Sequence, residues 1–112
     1  MSQLLPVPAM ATITLAQLLK SLSDPTRLAI VTRLADQAAP VSCVLFENLG
    51  KKSNLSQHYR NLRLNGLITI SKAGRHSYLQ LRRQELDAYF PNLIGAIVAA
   101  NHRQTPLQSA DQ

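Results

Sequence analysis

At Gly66 the apolar periodicity of this chain changes from that of a helix to that of a strand. Before it, Leu55, Tyr59 and Leu62 recur at i, i+4 and i+7, which is one face of a helix. The opposite face carries Asn54, Gln57, His58, Arg60 and Asn61. After it, Leu67, Ile68 and Ile70 lead into Ser71-Lys72-Ala73-Gly74, which has the composition of a turn. His76, Tyr78 and Gln80 then alternate with Ser77, Leu79 and Leu81. The reading is a helix over 53–65, with Ser53 as cap candidate and Gly66 as stop, followed at once by a β-hairpin over 67–81. Tyr59 belongs to the core side of that helix.

The elements upstream are helical. Ile13, Leu15, Leu18, Leu19 and Leu22 recur near helical spacing and predict a helix over 13–22. Ser23-Asp24-Pro25 is a start signal, because Ser23 or Asp24 can cap and Pro25 suits the first helical position. The second helix runs from Pro25 to Asp36, with Leu28, Ile30, Val31 and Leu34 mostly inward. Cys43 to Leu49 reads as a short helix ended by Gly50. Downstream, 84–102 is helical with a break or kink at Pro91. Residues 1–11, with Pro6 and Pro8, are expected to form a loose arm, and 103–112 a flexible tail. The domain is then 12–102, and 112 residues leave room for no second one. The fold class is mainly α with a small β-hairpin. A short helix, a tight turn and a polar-faced helix make a helix-turn-helix, and the hairpin adds a wing.

Charge is distributed unevenly. The chain has 12 Lys and Arg against 6 Asp and Glu. Lys51, Lys52, Arg60, Arg63, Lys72, Arg75, Arg82 and Arg83 lie in one stretch that contains no acid. A surface of that kind suits a polyanion, and its coincidence with the polar helix face and the hairpin favours double-stranded DNA. A winged-helix module for protein or RNA remains the alternative reading. No glycine-rich phosphate loop, carboxylate pair or triad pattern is present, and a Cys43–His58 pair makes no convincing centre, so no enzyme and no cofactor is expected. The single cysteine permits no intrachain disulfide, no apolar run is long enough to span a bilayer, and no signal peptide is recognisable. The chain reads as cytoplasmic, without a membrane partner.

Three stretches resemble the ArsR/SmtB family of winged-helix repressors: LLKSLSDPTRLAIVTRL at the entry to the second helix, KKSNLSQHYRNLRLNGLITISKAGRHSYLQL over the polar helix and hairpin, and LRRQELDAYFPNLIGAIVAA at the end. The last is similar to a subgroup with Cys-Gly-x-Phe before the recognition helix, where this chain has Cys43-Val44-Leu45-Phe46. The resemblance implies that Ser53, Asn54, Ser56, Gln57 and His58 are the reading positions. Asn54 and Gln57 can contact adenine in bidentate fashion, while Ser56 and His58 can read bases or hold phosphates. Lys51, Lys52, Arg60 and Arg63 are phosphate candidates, and Lys72, Gly74, Arg75 and His76 form the wing tip. Arg82 and Arg83 are expected to be solvated.

Family members are twofold dimers held by their first and last helices. The apolar surface of Leu15, Leu18, Leu22, Phe90, Leu93, Ile94 and Ile97 points to the same interface here. Many relatives respond to a metal. One ligand pattern pairs two cysteines on the short helix, where only Cys43 is present. Another sets Asp, two His and Glu along the last helix, where Asp87 is followed by Tyr89, Ala100 and Arg103. No metal site is therefore expected. The effector is non-metal or absent: a small organic molecule in a dimer pocket is one candidate, and Cys43 as a redox sensor another, a small hydrophobe being the other reading of that cysteine.

Overall fold

Helix α1 (Leu15–Leu22) begins where Thr14 and Gln17 exchange hydrogen bonds of 3.1 and 2.9 Å, a capping box that puts the start two residues later than Ile13. The computed structural model describes residues 3–110, and the side chains of 3–104. Residues 1–2 and 111–112, the ends of the expected arm and tail, lie outside the described residues. Helix α2 (Pro25–Ala35) is capped by Asp24, whose carboxylate accepts from the Arg27 amide at 3.0 Å, with Pro25 at the first position as expected. The short helix Cys43–Leu49 is present in 3-10 form, with Ser42 as its cap. Helix α3 (Lys52–Leu64) follows. Its cap position is Lys51, with no side-chain cap, so Ser53 is not the cap residue but an exposed first-turn residue.

Gly66 ends this segment with φ 85°. A Cβ there would stand 2.7 Å from Ile13 Cγ1, so both backbone angle and space require glycine. Strands β3 (Ile68–Ala73) and β4 (His76–Leu81) pair antiparallel in the register Ile68↔Leu81 through Ala73↔His76. The turn is the two-residue Gly74-Arg75, shorter than the Ser71–Gly74 turn expected, and Gly74 takes φ 63°. Two further strands were not legible in the sequence. Strand β2 (Val41–Ser42) pairs with β4, and β1 (Gln3–Leu4) pairs with β3, giving the order β1-β3-β4-β2. Helices α4 (Arg83–Tyr89) and α5 (Leu93–Ala110) are separated at Pro91, as expected, with Asn92 at φ 65°.

Three expectations are corrected. The arm is not loose over its described residues. Beyond β1, Leu5 donates to the Ile70 carbonyl at 2.8 Å, Met10 is buried, and a 3-10 turn spans Met10–Thr12. Helical backbone extends to Ala110, past the boundary expected at 103, although Pro106 has no amide to donate within it. Finally, Leu18, Leu22 and Ile94 are buried inside the protomer with Ile30, Leu34, Leu62 and Leu86, so they offer no side-chain surface to a second copy. Helical period identifies an apolar face but not what covers it. Leu15 remains 48% exposed, joined by Leu19 at 47% and Tyr89 at 55%, while Phe90, Leu93 and Ile97 are partly buried against the core.

Candidate nucleic-acid interface

Helix α3 is held from behind by Leu55, Tyr59 and Leu62, the face predicted from their spacing. Phe46 of the 3-10 helix is 1% exposed and meets the Tyr59 ring edge-on at 6.4 Å. Burial pushes the Tyr59 phenol up to about 12, helped by nearby Cys43 and Glu47, so it stays protonated and apolar in character at neutral pH. Arg33 ties the 3-10 helix to α2 through the Leu45 carbonyl (3.1 Å) and Asn48 (3.3 Å). Cys43 is half-buried at the start of that helix.

The rest of α3 divides by helical geometry into three stripes. Ser53 and Gln57, one turn apart, lie on the exposed outer stripe. Ser56, Arg60 and Arg63 lie on the side toward the wing and line a cleft with Leu5, Lys72 and Ser77. Asn54, His58 and Asn61 lie on the side toward α1 and α2. Of these, only Asn54 is exposed. Asn61 accepts from Ser21 at 2.7 Å and belongs to a network with Gln17 and Asn65. His58 is held at the start of α2, its Nδ1 lying 3.2 Å from Arg27 Nη1 and 3.8 Å from Asp24 Oδ2. It is therefore half-buried and engaged by the start of α2 rather than free on the surface.

Two arginines also depart from expectation. Arg63 is half-buried and donates to the Pro6 carbonyl, so it is not a free phosphate contact. Arg82 is 6% exposed instead of solvated. It holds Glu85 through two hydrogen bonds of 3.0 and 2.9 Å and donates to the Pro8 carbonyl at 2.9 Å. The hydrogen bonds from Arg82, outweighing partial desolvation, hold the Glu85 carboxyl below the usual carboxylate range. Arg83 pairs with Asp87 at 3.2 Å on the surface.

The exposed basic and polar residues are Lys51 at the cap position, Lys52, Ser53, Asn54, Ser56, Gln57 and Arg60 on α3, and Lys72, Gly74, Arg75 and His76 at the wing. No side chain caps the first turn of α3, so its amides add to the anion-attracting character of Lys51 and Lys52. The helix and wing border the same cleft, so a duplex can touch both at once.

Asp24, a cap candidate in the sequence, and Arg27, which the sequence did not single out, are the partners of His58. Burial raises the Asp24 pKa, but the Arg27 amide, the charges of His58 and Arg27, and the Thr26 amide outweigh it and keep the carboxyl below its ordinary range. A depressed folded-state pKa gives stability that is present above the unfolded pKa and lost as pH falls. Asp24→Ala should thus cost about 1 kcal/mol in urea denaturation at pH 7, the usual value of a cap. The gap from wild type should shrink as pH falls through the carboxylate range; a constant gap down to pH 3 would contradict this assignment.

Among the described residues no group of three or more His, Cys, Asp or Glu converges as a metal site, and no helix is long and apolar enough to cross a membrane. The element order and the α3–wing surface define a winged helix-turn-helix. No family model matches the chain. It is 34% identical over 84 residues to the uncharacterized HTH-type transcriptional regulator YceK of Bacillus subtilis (strain 168), spanning 70% of this chain and 81% of YceK. The solved structure of HlyU from Vibrio cholerae N16961 superposes with a TM-score of 0.61 at 26% identity, over 80% of this chain and 88% of HlyU. The chain belongs to the HTH-type transcriptional regulators and is a DNA-binding transcriptional regulator.

Proposed function

We propose that the protein is a homodimeric repressor of the ArsR/SmtB type that reads an inverted repeat through α3 and the wing, with an effector that is non-metal or absent. The observation that carries the reading is the exposure of Ser53, Asn54, Ser56 and Gln57 along α3 beside Lys51, Lys52 and Arg60, with Ser56, Arg60 and the wing's Lys72 lining one cleft. Short polar side chains suit base edges in the major groove, and the flanking cations suit phosphates. Arg75 and Lys72 extend the contact to the adjacent backbone or minor groove. Dimerisation is supported by Leu15 and Leu19 on α1 and by Tyr89, Phe90, Leu93 and Ile97 at the other end of the chain, which retain apolar surface after the core is closed. The cytoplasm is the compartment that suits a regulator of this kind.

Selection from a random pool of duplexes, followed by sedimentation of the free protein and of the complex, tests the proposal. The expected site is an inverted repeat with half-sites about one helical turn apart. The expected mass of the free protein is twice 12.3 kDa at micromolar concentration. A monomer bound to a single half-site would overturn the dimer, and recovery of no preferred sequence would overturn the reading of bases.

A further inference from the structure

Residues 3–10 follow a path that no DNA-reading role requires. Strand β1 pairs with the outer half of β3, Gln3 opposite Lys72 and Leu4 opposite Ser71. Beyond the paired residues of β1, the Leu5 amide donates to the Ile70 carbonyl at 2.8 Å, and Pro6 follows with its carbonyl turned away from β3. That carbonyl is captured by Arg63, in the last turn of α3. Two residues on, the Pro8 carbonyl is captured by the buried Arg82 at the entrance to α4, itself fixed by Glu85. Met10 then enters the core, 3% exposed. One extended segment therefore joins the wing, the reading helix and the body of the domain in sequence.

We infer that residues 3–8 are a strap that fixes the wing relative to α3, and that Arg63 and Arg82 are positioning residues for DNA binding; the inference rests on the wing's contacting DNA as proposed above. β2 covers only the Tyr78 and Leu79 edge of β4, and β1 gives the outer half of β3 a partner on the opposite edge, which stiffens the hairpin. The strap is shaped in advance: Pro6 and Pro8 restrict the backbone before folding, which lowers the entropy lost on docking. Both captured carbonyls receive charge-assisted hydrogen bonds, the stronger kind. Leu5 and Arg63 also wall the cleft shared by Ser56, Arg60 and Lys72, so a displaced strap alters the gap between helix and wing that a duplex must span.

The test uses the full chain and a fluorescein-labelled duplex carrying the site recovered by selection. Leu5→Pro removes the donor to Ile70 without touching a charge. Arg63→Met keeps most of the side-chain length and removes the donor to Pro6. Each is measured alone and with Arg75→Ala. Either strap variant should weaken binding roughly fivefold, the worth of about one net hydrogen bond. Arg75→Ala should weaken the wild type roughly tenfold, as loss of a charged contact does, but either strap variant by less than about threefold, since coupled sites are not additive. An unchanged cost of Arg75→Ala in both backgrounds overturns the strap and leaves the DNA-binding reading intact. A wild type indifferent to Arg75→Ala overturns the wing contact, and the strap with it. Should either variant fail to fold, amide exchange of the wild type decides: the Leu5 amide should be protected to the same degree as the Ile70 and Leu79 amides, and free exchange of Leu5 in the folded protein overturns the inference.

Discussion

Replacing Asn54 and Gln57 together by alanine is expected to lower affinity for the selected site by on the order of 30-fold to 25 000-fold, at about 1–3 kcal/mol of base discrimination for each bidentate contact. Affinity for unrelated duplexes should hardly change. Both side chains are exposed in the first half of α3, and neither is engaged in the hydrogen bonds that hold the helix. Their removal should therefore move stability by no more than about 0.5 kcal/mol, far less than the loss in binding. The contrast is with Lys51, Lys52 and Arg60, whose charges would be felt by any duplex. Neutralising one of those should weaken specific and non-specific binding alike and reduce the salt dependence by about one phosphate. Fluorescence anisotropy at several salt concentrations separates the two patterns. An equal loss on selected and unrelated DNA from the double substitution would move Asn54 and Gln57 out of the base-reading role.

The division of α3 shows what could be read in advance. Leu55, Tyr59 and Leu62 gave the buried face because apolar side chains on a helix repeat with its turn, and the structure buries that face. Asp24-Pro25 marked the start of α2 because capping chemistry is local. The change of period after Gly66 located the hairpin for the same reason. Long-range polar partners were hidden. Arg63 and Arg82 bond to main-chain carbonyls of Pro6 and Pro8, and every residue has such a carbonyl, so no side-chain pattern announces the pairing. His58 looks like a surface residue by period, and only the packing of α2 against α3 brings Arg27 and Asp24 to it. The apolar residues of the terminal helices failed differently. Their spacing correctly gave apolar faces, but Leu18, Leu22 and Ile94 are covered by the same chain. A count of apolar side chains cannot separate a core from an interface.

Gly66→Ala is expected to lower stability by about 2–4 kcal/mol, from a left-handed backbone cost of about 1–2 kcal/mol and an overpacking cost of similar size. For a domain of this size that corresponds to a fall in melting temperature of about 10–20 °C. The two contributions can be told apart. Gly66 has φ 85°, and a new Cβ would meet Ile13 Cγ1 at 2.7 Å, Cδ1 at 3.2 Å and Cγ2 at 3.3 Å. Asparagine tolerates positive φ better than alanine but carries the same Cβ. If contact with Ile13 dominates, Gly66→Asn should be nearly as damaging as Gly66→Ala, and adding Ile13→Ala should make the double variant more stable than the two separate losses predict. If backbone strain dominates, asparagine should recover most of the loss and the double variant should be additive. The 2.7 Å approach favours the first outcome, because Ile13 is itself buried against the core and has little room to retreat. Gly66 stands between the end of α3 and the start of β3, so any retreat there also tilts the reading helix against the wing. The selected duplex should accordingly bind less tightly to Gly66→Ala even at temperatures where that variant is fully folded, and unchanged affinity under those conditions would confine the glycine to a purely structural role.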